Sequence, residues 1–243
     1  MAKLSVNLNK VALLRNARHL NVPSVLWAAE TCIKAGAKGI TVHPRPDERH
    51  IRQSDVYDLA SLLQENDIEF NIEGNPFPDF MALVLEIKPT QCTLVPDSPE
   101  QFTSDHGWDL KQDAPRLQPL ISEMQREGTR VSLFLDPDHE QIDLVESVGA
   151  DCIELYTEPY ARAFGTPEEE YVLECFRQAA VYADSKGIGV NAGHDLNLEN
   201  LPRLCAITEI VECSIGHALI ADALCFGLRE TVQLYCRACS GHI

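Results

Sequence analysis

Short apolar runs punctuate the chain from end to end: LSVNL (4–8), GITV (39–42), EFNI (69–72), QCTLV (91–95), RVSLFL (130–135), CIEL (152–155), IGVNA (188–192) and VECSI (211–215). Their length and their β-branched and aromatic content predict strands. Between them the apolar positions recur every third or fourth residue, the period of a helix with one buried face. One such segment has Ser24 as N-cap, Val25, Leu26, Ala29, Cys32 and Ile33 on one face, and Gly36 as its stop. Another starts near Ser54 and carries Val56, Leu59, Leu62 and Leu63. The same scheme returns with Leu117, Leu120, Ile121 and Met124 before Gly128, and with Val172, Cys175, Phe176, Ala179 and Ala183 before Gly187. A final helix is predicted to carry Ile220, Leu224, Leu228 and Val232 on one face.

Several predicted helices end in one phrase, as in AGAKGITV, VGADCIEL and KGIGVNA, where a glycine supplies a left-handed cap and a strand follows at once. Eight such βα units in 243 residues predict an α/β fold, a (β/α)8 TIM barrel forming a single domain over residues 1–243. A doubly wound open sheet competes with it, but that fold carries a glycine-rich turn after its first strand. NLNKVALLRNAR contains no glycine.

In a (β/α)8 barrel the reactive groups stand at the C-terminal ends of the strands. Those positions offer Asn7, Asn9 and Lys10 after the first predicted strand, and His43, Arg45 and His50 after the second. Glu73 follows the third, Thr103 lies in a long loop after the fourth, and Glu154 sits within the sixth. His194 follows the seventh, and Gly216 with His217 the eighth. The abrupt change inside GITVHPRPDERHI, from apolar to charged, is what a strand leaving a core for a polar mouth produces. Plainer readings exist: His43 as a solvated loop histidine, Glu73 as a helix N-cap, the arginines of LLRNAR as surface charge. Glu154 has less room for one, because a carboxylate inside an apolar strand is costly unless it is paired or used. His19, His106, His139 and His242 lack such a context and read as surface residues.

Charge and cysteine content narrow the partners. A net charge of −17 disfavours nonspecific nucleic-acid binding, which depends on a basic surface. A bound anion would need locally concentrated cations to overcome the repulsive field. Two places offer them: Gly216 and His217 at the start of a helix after the last strand, and Arg15 and Arg18 with Lys10 and Arg45. No apolar run has membrane-spanning length, and MAKLSVNLNK has no signal-peptide core; the expectation is a cytoplasmic protein. Nine cysteines among mostly apolar neighbours suit reduced core thiols, and the CxxC at Cys236 and Cys239 has no second ligand pair.

Three histidines and two carboxylates, without a metal-ligand pattern, fit proton transfer on phosphorylated small molecules better than a metal centre. No strand lysine is placed for a Schiff base and no nucleophile elbow is visible.

The motifs LLRNAR, GITVHPRPDERHI, NIEG, QCTLVPD, VSLFLDPD, VNAGHDLN and IGHALI, in this order, resemble the pyridoxine 5′-phosphate synthase family. The resemblance implies condensation of 1-deoxy-D-xylulose 5-phosphate with 3-amino-2-oxopropyl phosphate, giving pyridoxine 5′-phosphate, phosphate and water. It implies no metal or organic cofactor, and a homo-oligomer. It makes His43 a general base, Glu73 a second acid–base group, His194 a proton donor and Glu154 a stabiliser of intermediate charge. Arg18 would hold the phosphate of the amino-ketone; Asn7, Arg45, His50 and Thr103 would bind the deoxyxylulose phosphate; Gly216 and His217 would cradle a phosphate. The chain departs from the family pattern at two places: Asn9-Lys10 stand where an aspartate and a histidine are expected, and Asp195 where glycine is expected. Lys10 keeps a cation for phosphate or hydroxyl; Asp195 is placed to tune His194 or cap the next helix. The other readings are a sugar-phosphate isomerase or aldolase on the same fold, and a non-catalytic binding barrel. The loop at 95–113, with Trp108 and nearby acids, is long enough to act as a lid.

Overall fold

The computed structural model describes residues 1–101 and 103–241. Eight parallel strands close on themselves in chain order: β1 (Lys3–Asn7), β2 (Gly39–Val42), β3 (Glu69–Gly74), β4 (Gln91–Leu94), β5 (Arg130–Leu135), β6 (Cys152–Tyr156), β7 (Gly189–Gly193) and β8 (Ile210–Ile215), with β8 pairing back onto β1. The (β/α)8 barrel is therefore the fold, and each predicted strand run overlaps an observed strand. The helices are α1 (Asn9–Asn16), α2 (Val25–Ala35), α3 (Gln53–Glu65), α4 (Pro78–Ile87), α5 (Leu110–Arg126), α6 (His139–Val148), α7 (Glu158–Ala163), α8 (Glu169–Ser185), α9 (Leu201–Leu204), α10 (His217–Phe226) and α11 (Leu228–Cys239). Among the described residues no helix is long and apolar enough to cross a membrane.

Local chemistry sets several boundaries. Ser24 Oγ accepts from Trp27 N at 3.2 Å and starts α2, while Gly36 stops it at φ 114°. The one predicted helix at the C-terminus is two. Gly227, at φ 81°, breaks it between α10 and α11, and Leu224 is 79 % exposed rather than part of a packed face. α11 then turns back against α2.

The strand period of two divides the side chains between two compartments. Leu4, Val6, Ile40, Val42, Phe70, Ile72, Leu133, Leu155 and Ile215 belong to the large apolar core between strands and helices. On β1 to β4 the alternate positions, which face the barrel axis, are mostly polar. Ser5 Oγ lies 2.7 Å from Thr41 Oγ1, Asn71 Nδ2 donates to Thr41 Oγ1 at 3.4 Å, and Thr93 Oγ1 donates to Asn71 Oδ1 at 3.0 Å. Toward the N-terminal end of the barrel, Gln91 Oε1 accepts from Arg130 Nε at 2.9 Å and Asn191 Nδ2 at 3.2 Å, and Arg130 pairs with Glu69. Glu212 shares this region, and burial pushes its carboxyl up to about 8. The interior is thus a hydrogen-bonded polar column, and one step further along β1, β2 and β3 it continues as Asn7, His43 and Glu73.

Candidate active site

These three residues form the upper layer of that column. Asn7 Nδ2 donates to Glu73 Oε2 at 3.4 Å, and His43 Nδ1 lies 4.0 Å from the same oxygen. Asn9 Oδ1 accepts from His43 N at 2.9 Å, while Asn9 N donates to Asn7 Oδ1 at 3.0 Å. Asn9 therefore fastens the ends of β1 and β2 to each other through its amide oxygen.

The low dielectric at the barrel mouth sets the protonation of the group. Burial lowers the His43 pKa well below the ordinary histidine value, helped by the charge of Arg45, so the imidazole is neutral and free to accept a proton. Burial raises Glu73 well above the ordinary carboxyl value, and the neighbouring Glu154 charge raises it further. Burial pushes Glu154 up to about 7, against a hydrogen bond from Thr93 that works to lower it. Two carboxyls and a neutral imidazole so placed can pass protons at neutral pH.

His194 completes the set from β7. Its ring lies between Phe134, with centroids 5.1 Å apart, and Tyr156, at 5.3 Å. Burial lowers its pKa, and the charges of Asp195 and Asp97 work against that shift. Its backbone is at φ 89°, a conformation that a residue with a Cβ rarely adopts. Thr157, fully buried after β6, holds the turn: its Oγ1 lies 2.7 Å from Gly193 O and 2.5 Å from His194 O. Gly193 makes room for a carboxyl, because a Cβ there would lie 2.2 Å from Glu154 Oε1. His43, Glu73, Glu154 and His194 consequently share one neighbourhood.

The cations are distributed less evenly than the sequence implied. Arg45 Nη2 donates to Asp97 Oδ2 at 2.5 Å, and both side chains are buried. His50 Nδ1 accepts from Ile51 N at 2.9 Å, and its pKa falls to about 4 through burial and then the charges of Arg45, Arg49 and Lys10. Arg15 is neither a surface charge nor an open anion donor: it is buried against Asp55, with Nη2 donating to Asp55 Oδ2 at 2.8 Å and to His50 O at 2.9 Å. Arg18 is exposed in the turn after α1, and Thr103 is exposed in the β4–α5 loop. Gly216 passes close to Asn7, where a Cβ would sit 3.2 Å from the Asn7 Cβ, and His217 opens α10 on the surface. Asp195 is exposed at φ 56°. His19, His106 and His139 are exposed, as expected, and His242 lies outside the described residues.

A cavity of about 600 Å³ opens beside His43 and Arg45 and runs outward past Asn75, Phe77, Phe80 and Leu83. Trp108, read in the sequence as part of a lid, is buried: its Nε1 donates to Leu94 O at 2.8 Å and pins that end of the loop. Asp97, Thr157, Phe134 and Tyr156 were not singled out from the sequence. The signal was present for Asp97 in its place just beyond the β4 run, whereas the aromatic pair is legible only once β5, β6 and β7 are adjacent.

A closed parallel barrel with neutralised acids and bases at the C-terminal ends of its strands defines the chain as a (β/α)8-barrel enzyme. It belongs to the family described as pyridoxal phosphate biosynthesis protein PdxJ, whose pattern matches residues 4–241. It is 56% identical over 242 residues to the pyridoxine 5′-phosphate synthase of Albidiferax ferrireducens, covering 97% of this chain and 96% of that one. To the pyridoxine 5′-phosphate synthase of Bacteroides fragilis it is 55% identical over 236 residues, covering 97% and 98%. Among solved structures, thiamine phosphate pyrophosphorylase from Pyrococcus furiosus superposes with a TM-score of 0.61 at 13% identity, covering 98% of this chain and 95% of that one. That likeness is one of fold.

Proposed function

We propose that the chain is a pyridoxine 5′-phosphate synthase that joins 1-deoxy-D-xylulose 5-phosphate to 3-amino-2-oxopropyl phosphate at the mouth of the barrel, by proton transfers among His43, Glu73, Glu154 and His194. The activity follows from membership of the family at over half identity along nearly the whole chain. The observation that carries the assignment of roles is the convergence of His43 Nδ1, at 4.0 Å, and Asn7 Nδ2, at 3.4 Å, on one carboxyl oxygen of Glu73.

The reaction needs several proton movements in one place: amine to carbinolamine, loss of water to the imine, expulsion of phosphate, ring closure and aromatisation. His43, held neutral by burial and by Arg45, removes protons from carbon and from the attacking amine. Glu73, kept protonated by burial and by Glu154, returns them to leaving oxygens, and its partner imidazole resets it. Glu154, titrating near neutrality, offsets positive charge on the imine nitrogen. His194, enclosed by Phe134 and Tyr156, takes up a proton released by the substrate and delivers it to a departing group away from bulk water.

For the phosphates, Arg45 lines the cavity beside His43, and the charges of Arg45 and Lys10 both act on His50, so cations gather beyond the end of β2. Gly216 and His217 offer main-chain N–H groups at the start of α10 for the second phosphate. The test is a two-substrate assay of pyridoxine 5′-phosphate and released phosphate. The parent is expected to form both products, and His43→Asn to lose at least about a hundredfold in kcat. Equal rates in parent and variant would discard the assignment.

A further inference from the structure

We propose that Asp97 is a positioning residue for the substrate phosphate: it holds the Arg45 guanidinium in the one plane from which its remaining N–H groups face the cavity beside His43. The inference rests on the reading that Arg45 binds the deoxyxylulose phosphate.

Asp97 stands in the loop after β4, and its side chain is 1% exposed against 5% for Arg45. Arg45 Nη2 donates to Asp97 Oδ2 at 2.5 Å, and Arg45 Nη1 donates to Ser98 O at 3.4 Å. The carboxyl is itself braced. Ser104 Oγ donates to the same Oδ2 at 2.7 Å, and Asn75 Nδ2 donates to Asp97 O at 3.1 Å. Asn75 is held in turn by Arg116 Nη2 at 2.6 Å. Segments after β3 and β4 and helix α5 therefore converge on the direction of one guanidinium.

A guanidinium carries five N–H donors in a rigid fork, and the two bonds to the loop leave the rest for a ligand. Fixing one edge of the fork fixes the others, so the entropy of ordering a long side chain is lost on folding and not on binding. Charge alone does not explain the placement. In a chain of net charge −17, another carboxylate beside an anion site lowers the attraction for phosphate. Asp97 Oδ1 has no partner among the described residues, so this carboxyl is not placed to satisfy itself. What it supplies is orientation.

The experiment uses the full chain. Binding of 1-deoxy-D-xylulose 5-phosphate alone is measured by calorimetry, and both KM values by steady-state assay, for the parent, Asp97→Ala, Asp97→Asn, Arg45→Ala and the Arg45→Ala/Asp97→Ala double variant. Asp97→Ala is expected to weaken the deoxyxylulose phosphate about tenfold or more, with the KM of the amino-ketone phosphate nearly unchanged. In the Arg45→Ala background the same change is expected to add nothing. Tighter binding in both Asp97→Ala and Asp97→Asn would mean that the residue acts only through its charge and would overturn the inference. So would equal weakening of both substrates, or full additivity with Arg45→Ala. If Asp97→Ala does not fold, Ser104→Ala removes the brace alone and should weaken the same substrate by about two- to threefold, again only when Arg45 is present. A parent that neither binds the sugar phosphate nor forms product fails the functional reading itself; an active parent with indifferent variants fails only the role of Asp97.

Discussion

Glu154 shows most directly how a single residue carries both cost and use. It is 3% exposed within β6, and burial pushes its carboxyl from an ordinary 4.5 up to about 7. Between those values the folded chain keeps a proton that the unfolded chain releases. Its contribution is therefore full below 4.5 and is lost as pH rises through about 7. Glu154→Gln escapes that loss: at pH 8 it should be more stable than the parent by up to about 3 kcal/mol, and the difference should vanish near pH 4. Denaturant titrations at the two pH values check this, and turnover should fall about a hundredfold in the same variant. Gly193 depends on the same carboxyl. A Cβ there lies 2.2 Å from Glu154 Oε1, so Gly193→Ala should cut kcat strongly while leaving a folded barrel by circular dichroism; a variant with parental kcat would show that Glu154 can move without loss. The placement of His43, Glu73, Glu154 and His194 at or near the strand ends was legible in the sequence because polar groups there are anomalies against an apolar pattern. Thr157 and Asp97 were not, since a threonine or an aspartate in a loop looks ordinary until its partner is known.

At the scale of elements, α1 and the β2–α3 loop behave as one piece. Arg15 reaches from α1 to Asp55 on α3 and to His50 O, while Asn16 Nδ2 donates to His50 O at 2.9 Å and to Arg49 O at 3.1 Å. The helix thereby shapes the loop that carries His50. Removing the cation leaves a buried carboxylate unpaired, so Arg15→Leu should cost about 3–5 kcal/mol in urea unfolding and raise the KM of the deoxyxylulose phosphate. A loss within about 0.5 kcal/mol, the range of ordinary surface substitutions, would mean the ion pair is dispensable. The sequence could not separate a buried Arg15 from an exposed Arg18, because both lie in the same helical phrase and their partners come from α3 and its preceding loop. It misjudged the end of the chain for a similar reason: Ile220, Leu224, Leu228 and Val232 keep a helical spacing straight through Gly227, and only the turn at φ 81° shows the break.

The whole barrel explains why the site lies where it does. Apolar positions of the strands face the helices, and the alternate positions form a polar column from Glu69 and Arg130 through Ser5, Thr41 and Asn71 to Asn7, His43 and Glu73. The number and order of strands were readable from periodicity, but which alternate set faced inward was not, because parallel strands are buried on both sides. In the proposed reaction His43, Glu73, Glu154 and His194 act as one proton-transfer unit. The most direct measurement is kcat for His43→Asn, Glu73→Gln and the double variant in the two-substrate assay. If the groups form a unit, the double variant loses no more than the worse single variant; losses that multiply would show the two side chains working independently and contradict it.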